Sequence, residues 1–122
     1  HPLPIGICVC KHMRMHAHDE TWQEPSDADV AVAVEVFSLL ADATRFRIVS
    51  MLGQGELPVG EIAGRLGKSQ AAVSQHLAKL RLSRLVSTRQ EGPRVFYSLS
   101  NDHPLELIRV ALYQAEHAVD GA

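Results

Sequence analysis

Polar side chains line one face of the stretch SQAAVSQHLAKL, residues 69–80, and their types suit hydrogen bonding to nucleic-acid bases. Val73, Leu77 and Leu80 recur at i, i+4 and i+7, which predicts a helix with one buried stripe. The opposite face carries amides and hydroxyls without an acid, where an ordinary solvated helix carries ion pairs. Glutamine can pair with adenine through two hydrogen bonds, and acids are disfavoured beside phosphates. The residues expected to meet the nucleic acid here are Ser69, Gln70, Ala71, Ser74 and Gln75.

Positive charge is concentrated around this stretch. Residues 44–94 hold nine of the twelve basic side chains but only three of the fourteen acids, although the whole chain has a net charge of −2. Such a local excess indicates a polyanionic partner, with a merely solvated basic face as the alternative. The cations expected to contact phosphates, without reading sequence, are Lys79, Arg81, Arg84, Arg89 and Arg94.

Capping residues and apolar spacing predict the elements that must position these side chains. The first helix is capped by Ser26 or Asp27 and carries the apolar stripe Val30, Val34, Phe37 and Ala41, and the second is capped within 42–45 and ends at Gly53. The third helix is opened by Pro58 and closed by Gly67, and the fourth is capped by Ser69. Strands 85–90 and 95–100 follow around a turn at 91–94, and a last helix runs from near Pro104 to about Val119. The fold class is therefore mainly α with a β-hairpin wing (α+β), in the order ααααββα. The third and fourth helices form a helix-turn-helix, whose second helix enters the major groove of DNA. His76 on that helix is expected to pack half-buried rather than to contact a base.

Length and composition allow one compact domain. A chain of 122 residues with 46% apolar side chains can bury one core, which we expect residues 26–122 to form as a winged helix-turn-helix domain. Residues 1–25, rich in proline and histidine, are expected to form a flexible tail, in which Met13 and Met15 are candidate true starts. No apolar run reaches the roughly 18 residues of a membrane span, and HPLPIGICV lacks the basic leader of a signal peptide.

The composition favours neither a secreted scaffold nor an enzyme. Two cysteines do not make a disulfide framework, so a cytoplasmic location is expected. The sequence offers no nucleophile–base pair and no phosphate-binding loop, which argues against catalysis.

Two runs of the sequence resemble the ArsR/SmtB family of bacterial winged-helix repressors: LADATRFRIVSML, and the longer run from Glu56 to Ser100. The resemblance covers about residues 30–119. It rests on Ser-x-His-Leu in the fourth helix followed by Gly-x-x-x-x-Tyr-x-Leu in the wing. It implies a homodimer that binds a palindromic double-stranded DNA operator. It also implies repression of a metal-resistance or transport gene and release when an inducer binds.

The resemblance also narrows the inducer. Thiolate-sensing members carry Cys-Val-Cys after Glu-Leu in the third helix, and here Pro58 and Gly60 stand at the cysteine positions. Neither residue can hold a metal, which excludes arsenic, lead or cadmium sensing at that site. The phrase Ala-Glu-His-Ala, with Glu116 beside His117, resembles the nickel/cobalt-sensing members. Nickel or cobalt is therefore the favoured ion, with zinc as the alternative.

Another group of the family binds metal on the last helix, at positions that match Asn101, His103, Gln114 and His117. Two histidines match, whereas the asparagine and the glutamine weaken a four-ligand tetrahedral zinc site. His103 and His117 are 14 residues apart, about 21 Å along a helix and about 40° apart around it. The two histidines therefore lie on one face of the helix but are too far apart to bind the same metal ion within one chain. An antiparallel partner helix would pair them across a dimer as two symmetric sites. The alternative is a capping His103 and a solvated His117.

The tail offers further ligands. His16 and His18 at i, i+2 would lie on one face of an extended strand and suit nickel, cobalt or zinc. They are candidates to complete the last-helix site, and Cys8, Cys10 and His12 are weaker candidates nearby. The alternative is a solvated, tag-like tail.

Two other functions stay open at this point. One is a repressor of the same family that senses no metal and responds to thiol oxidation. The other is a metal-buffering protein in which the histidine-rich tail is the active part. Operator binding that falls with added metal favours the metal-responsive repressor over both.

Overall fold

The computed structural model describes residues 22–121, with side chains described up to residue 118. Almost all of the predicted tail, residues 1–25, therefore lies outside the described residues. So do its candidate ligands Cys8, Cys10, His12, His16 and His18.

Five helices and three short strands make up the described part of the chain. The helices are α1 (Asp27–Leu40), α2 (Ala43–Leu52), α3 (Val59–Leu66), α4 (Gln70–Leu82) and α5 (His103–Gly121), and the strands are β1 (Leu57–Pro58), β2 (Val86–Glu91) and β3 (Arg94–Leu99). This order confirms the predicted winged helix-turn-helix and adds β1 to it. Between residues 22 and 121, no helix combines the length and the apolar character needed to cross a membrane.

The helix starts follow from side-chain caps. The caps of α1, α2 and α4 are Ser26, Asp42 and Ser69, whose side-chain oxygens accept the backbone N–H three residues on at 3.1, 3.0 and 3.1 Å. Such a bond satisfies one of the N–H groups that the first turn leaves without a partner. Pro58, predicted to open α3, lies at its N-cap, and the helix closes at Gly67 in the left-handed conformation, with φ 66°.

The core forms where the helix-turn-helix packs against α2 and β2, with α5 packed against α2. The predicted stripe of α4 is confirmed, because Val73, Leu77 and Leu80 have no exposed surface. They join Ile48, Val49, Ile62, Val86 and Ile108 in one buried cluster. This packing fixes the rotation of α4 and turns its polar face outward.

The sheet has one strand more than predicted. β2 and β3 form the wing hairpin around Gly92 and Pro93, and β1 pairs antiparallel with the outer side of β3, Leu57 opposite Tyr97 and Pro58 opposite Phe96. A proline lacks the N–H of a ladder bond and is tolerated at a sheet edge. β1 therefore ties the start of the helix-turn-helix to the wing.

Two helices carry apolar faces that the described residues do not cover. The predicted stripe of α1 does not enter the core, since Val34 and Phe37 are 58% and 60% exposed, and the helix buries Leu39 and Leu40 instead. On α5, Leu107, Val110, Leu112 and Tyr113 are also exposed. Contiguous apolar surface of this kind is typical of an interface.

Arg84, between α4 and β2, has a φ of 64°, a conformation that L-residues other than glycine adopt at a cost. We expect Arg84→Gly to raise the free energy of unfolding by on the order of 1 kcal/mol, because glycine adopts this φ without strain. Urea denaturation monitored by circular dichroism measures the change.

Gly67 is the matched control, because its φ is 66° and a Cβ there would meet nothing within 4 Å. Gly67→Ala should lower stability by a similar amount. A loss of stability in both variants would contradict the strain argument for Arg84.

Candidate nucleic-acid interface and metal site

The polar face of α4 is exposed in the part of the chain that the structure describes. Gln70, Ala71, Ser74, Gln75 and Lys79 are exposed. Within the described residues, no hydrogen bond or ion pair engages the side chains of Gln70, Ser74 or Gln75, so their donors and acceptors are available to a ligand. The first turn of α4 carries no acid, and the positive end of the helix dipole adds to the attraction for an anion.

The turn before α4 sets the position of its first residues. Ser69 is committed to the cap by accepting the N–H of Ala72, while its hydroxyl proton remains free to donate. Gln70 lies against α3, where a Cβ on Gly60 would come within 3.3 Å of the Gln70 amide nitrogen. Gly60, one of the positions without a thiolate, therefore leaves room for a side chain that is expected to contact bases.

A cluster of polar side chains anchors α4 to the neighbouring helices. His76 is half-buried as predicted, and its Nδ1 lies 3.2 Å from a terminal guanidinium nitrogen of Arg45. Arg45 also donates from Nε to the carbonyl of Leu39 at 2.8 Å. A guanidinium only donates hydrogen bonds, so Nδ1 of His76 accepts from Arg45 and the ring proton sits on Nε2. Asp42 lies 3.8 Å from the same Nδ1, which is a weaker contact than this hydrogen bond. The cluster joins α4 to the junction of α1 and α2.

The predicted phosphate contacts fall into two groups. Lys79, Arg81, Arg84 and Arg94 are exposed, and none of them makes an ion pair within the described residues. Arg94 lies over the ring of Phe96, 5.0 Å from its centre.

Arg89 differs from the other four. Its guanidinium donates two hydrogen bonds to Glu56, of 3.0 and 2.8 Å, and also lies over Phe96 at 4.8 Å. Glu56 is a partner that the sequence analysis missed. The one signal for it was its position among the three acids inside the basic block.

The predicted metal ligands of α5 are exposed and well separated. His103 begins the helix, where its N–H donates to the side chain of Asn101 at 2.9 Å. His117 lies four turns further along the same continuous helix, about 21 Å away. Glu116 is exposed beside it. Among the described side chains, no three His, Cys, Asp or Glu residues come together as a metal site.

His117 nevertheless has one ring nitrogen, Nε2, that makes no hydrogen bond within the described residues. Its Nδ1 lies 3.0 Å from the carbonyl oxygen of Tyr113, and its ring meets the Tyr113 ring edge-on at 4.2 Å. A carbonyl only accepts, so the proton sits on Nδ1 and the lone pair on Nε2. Metal-binding histidines are commonly held in this way by a second hydrogen bond.

Comparison with known proteins assigns the helix-turn-helix to a sequence family. Residues 42–88, from the cap of α2 to β2, match the family described as "Bacterial regulatory protein, arsR family". Over 95 residues the chain is 48% identical to the HTH-type transcriptional regulator KmtR of Mycobacterium tuberculosis, covering 78% of this chain and 73% of that protein. It is 37% identical over 101 residues to the cadmium resistance transcriptional regulatory protein CadC homolog of Staphylococcus aureus, covering 81% and 79%.

A solved structure agrees with the fold. The homodimeric winged helix-turn-helix DNA-binding domain of a possible ArsR-family regulator from Mycobacterium bovis superposes with a TM-score of 0.72 at 28% identity. The match covers 80% of this chain and 94% of that one. Both of these relatives are described as regulators of transcription.

The Asp42 cap of α2 makes the free energy of unfolding depend on pH. The hydrogen bond from the backbone N–H of Arg45, aided by the Arg45 charge, lowers the pKa of Asp42 below its ordinary value. A lowered pKa in the folded state stabilises the fold above the ordinary value, and this stabilisation is lost as pH falls through the folded pKa. We therefore expect Asp42→Asn, which keeps an acceptor at the cap, to lose less stability than the wild type between pH 5 and pH 2. Urea titrations across this range measure it, and parallel profiles for the two proteins would contradict the assignment.

Proposed function

The chain belongs to the ArsR family of bacterial regulatory proteins, and from this membership we propose that it is a metal-responsive transcriptional repressor. It binds a palindromic operator as a homodimer and is released by a transition metal, with nickel or cobalt favoured and zinc as the alternative. The observation that carries the proposal is the acid-free polar face of α4, which makes no hydrogen bonds within the described chain and lies beside exposed cations.

The proposed reading head is the N-terminal half of α4. Gln70, Ser74 and Gln75 contact base edges in the major groove, where glutamine pairs best with adenine. Ser69 and Ala71, at the same end of α4, lie close to the DNA backbone. The proposed phosphate contacts are Lys79, Arg81, Arg84, Arg89 and Arg94, which set register without reading sequence.

A second copy of the chain would cover the exposed apolar faces of α1 and α5. The similar domain from Mycobacterium bovis is described as homodimeric, which supports the same assembly here. A two-fold dimer presents two α4 helices to two half-sites, about 34 Å apart along the DNA.

The proposed metal site lies across this dimer. His103 of one protomer and the partner's His117 supply imidazole nitrogens, which suit nickel, cobalt and zinc. Tyr113 holds His117 with Nε2 free, which supports a ligand role. Glu116, His16 and His18 are the candidates for further ligands, and the cadmium-resistance regulator among the relatives supports a metal as the inducer. When bound, the metal links the two α5 helices and favours a dimer geometry that no longer fits successive major grooves.

Operator binding measured with added metal and with oxidant separates the remaining alternatives. Operator binding that is unchanged by added metal but falls with oxidant would favour a repressor that senses thiol oxidation. Absence of any operator binding would favour a metal-buffering protein. We expect binding that falls with nickel or cobalt.

Gln70→Ala tests the reading head. Losing a base contact should weaken operator binding by on the order of 1–3 kcal/mol and leave binding to random DNA nearly unchanged. Fluorescence anisotropy with both duplexes measures the two affinities. Lys79→Ala is the control, since loss of a phosphate contact should weaken both alike. An equal fall for Gln70→Ala on both duplexes would make Gln70 a positioning residue.

His117→Ala tests the inducer site. Operator binding without metal should be intact, because the residue is remote from α4, and metal-driven release should be abolished. A tenfold release needs only about 1.4 kcal/mol of differential affinity between the two dimer geometries, so loss of one ligand is sufficient to remove it. Anisotropy during nickel and cobalt titrations measures release, with Arg109→Ala as an exposed α5 variant that keeps both histidines. Unchanged sensitivity to either ion in His117→Ala would rule out the assignment.

A mixed dimer tests whether the site crosses between chains. One protomer carries His103→Ala and the other His117→Ala. With cross-chain pairing both lost ligands belong to one site and the other site survives. With pairing inside each chain both sites are lost, and metal titration by calorimetry then finds none.

A further inference from the structure

Glu56 and Arg89 form a pair that is held by two hydrogen bonds although 33 residues separate them in the chain. Arg89 Nε donates to Oε1 at 3.0 Å, and a terminal nitrogen donates to Oε2 at 2.8 Å. This is the fork with which arginine binds either a carboxylate or a phosphate. The Arg89 and Glu56 side chains are 49% and 39% exposed, so an approaching polyanion can reach them.

The sheet determines the position of the Arg89 side chain. Pro58, Phe96 and Arg89 are direct neighbours across β1, β3 and β2, so they lie in one row across the sheet. Arg89 crosses the ring of Phe96 at 4.8 Å and reaches Glu56, just before β1. Arg94 lies over the same ring without an ion pair in the described chain. Two wing arginines therefore share one ring, and one of them is occupied by an anion.

The pair is neutral at physiological pH. The hydrogen bond from Arg89 holds the pKa of Glu56 below its ordinary value, so the carboxylate remains ionised. An exposed ion pair of this kind contributes little to stability. Its larger effect is on charge, because Glu56 cancels the charge of Arg89, which also lies 3.7 Å from Glu91.

We propose that Glu56 fills the fork of Arg89 as an internal substitute for a DNA phosphate, so that Arg89 joins the DNA interface only when the pair opens. The inference rests on the proposed DNA-binding function and names a residue that limits its affinity. Phosphate contacts are independent of sequence, so Glu56 lowers binding to operator and random DNA alike. Such a mask reduces capture by the many non-specific sites without altering the reading head on α4.

Glu56→Gln in the full-length protein tests the mask, because it removes the charge while keeping the shape of the side chain. Affinity for a random-sequence duplex at low salt should rise about two- to fivefold. The logarithmic dependence of binding on salt should steepen by up to about one, as one more counterion is released. Operator affinity should rise by the same factor, and an unchanged thermal midpoint checks the fold.

Glu61→Gln is the charge-matched control, since Glu61 pairs with Arg65 on α3 rather than with Arg89. The gain from Glu56→Gln should exceed the gain from Glu61→Gln. In an Arg89→Gln background the two gains should become equal, because only the general charge effect remains.

Three results would overturn the inference. A lower affinity in Glu56→Gln would mean that Glu56 positions Arg89 for DNA. A gain no larger than that of Glu61→Gln, or one that persists in full without Arg89, would mean that charge alone acts. In all three cases the wild type still binds DNA and the proposed function stands. Failure of the wild type to bind either duplex would overturn the proposed function and the mask together.

Discussion

Burial of three side chains on α4 is the constraint on which the interface depends. Val73, Leu77 and Leu80 are fully enclosed, and burial of side chains this size stabilises a fold by about 2 kcal/mol each. Rotating α4 to turn any other face inward would expose these residues and bury the amides of Gln70 and Gln75 without partners, which costs free energy twice. The polar face of α4, the proposed reading face, therefore points outward because the opposite face is buried in the core.

Pairing, more than the number of cations, decides what the basic face offers to DNA. Arg65 and Arg89 are both engaged by glutamates, whereas Lys79, Arg81 and Arg94 make no ion pair within the described residues. The count of nine basic side chains in residues 44–94 therefore overstates the number of cations that are free of an ion pair. Of the cations without an ion pair in the described residues, Lys79 and Arg81 lie at the end of α4 and Arg94 lies on the wing, which are the two parts that flank a groove in a winged-helix protein.

Local signals in the sequence predicted most of the fold. Ser26, Asp42 and Ser69 cap helices because their short side chains reach the free N–H groups of the next turn, and that chemistry is readable within four residues. Gly92 and Pro93 likewise mark the wing turn. β1 has two residues, too few for an alternating pattern, and depends on pairing with β3 far along the chain.

The missed features all depend on contacts distant in sequence or on a second chain. Glu56 and Arg89 meet only because the sheet brings β1 beside the wing. The sequence predicts an apolar stripe on α1, but periodicity cannot distinguish a face covered by the same chain from one covered by a partner. The geometry of the proposed metal site has the same limit, since His103 and His117 lie at opposite ends of α5. Only a second copy can bring such residues together.

This separation also determines how a metal on α5 could act on α4. Within one chain, α5 packs against α2 through the buried Ile108, and the Arg45–His76 bond joins α4 to the start of α2. A core this closely packed resists internal deformation, so each chain is expected to move as one body. A metal that links two chains then changes the angle between the bodies rather than the shape of either. Since two heads must meet two grooves at once, a small rotation at the α5 interface is enough to break the match at one half-site. The exposed apolar faces of α1 and α5, which can slide over a partner without breaking directional bonds, suit that rotation.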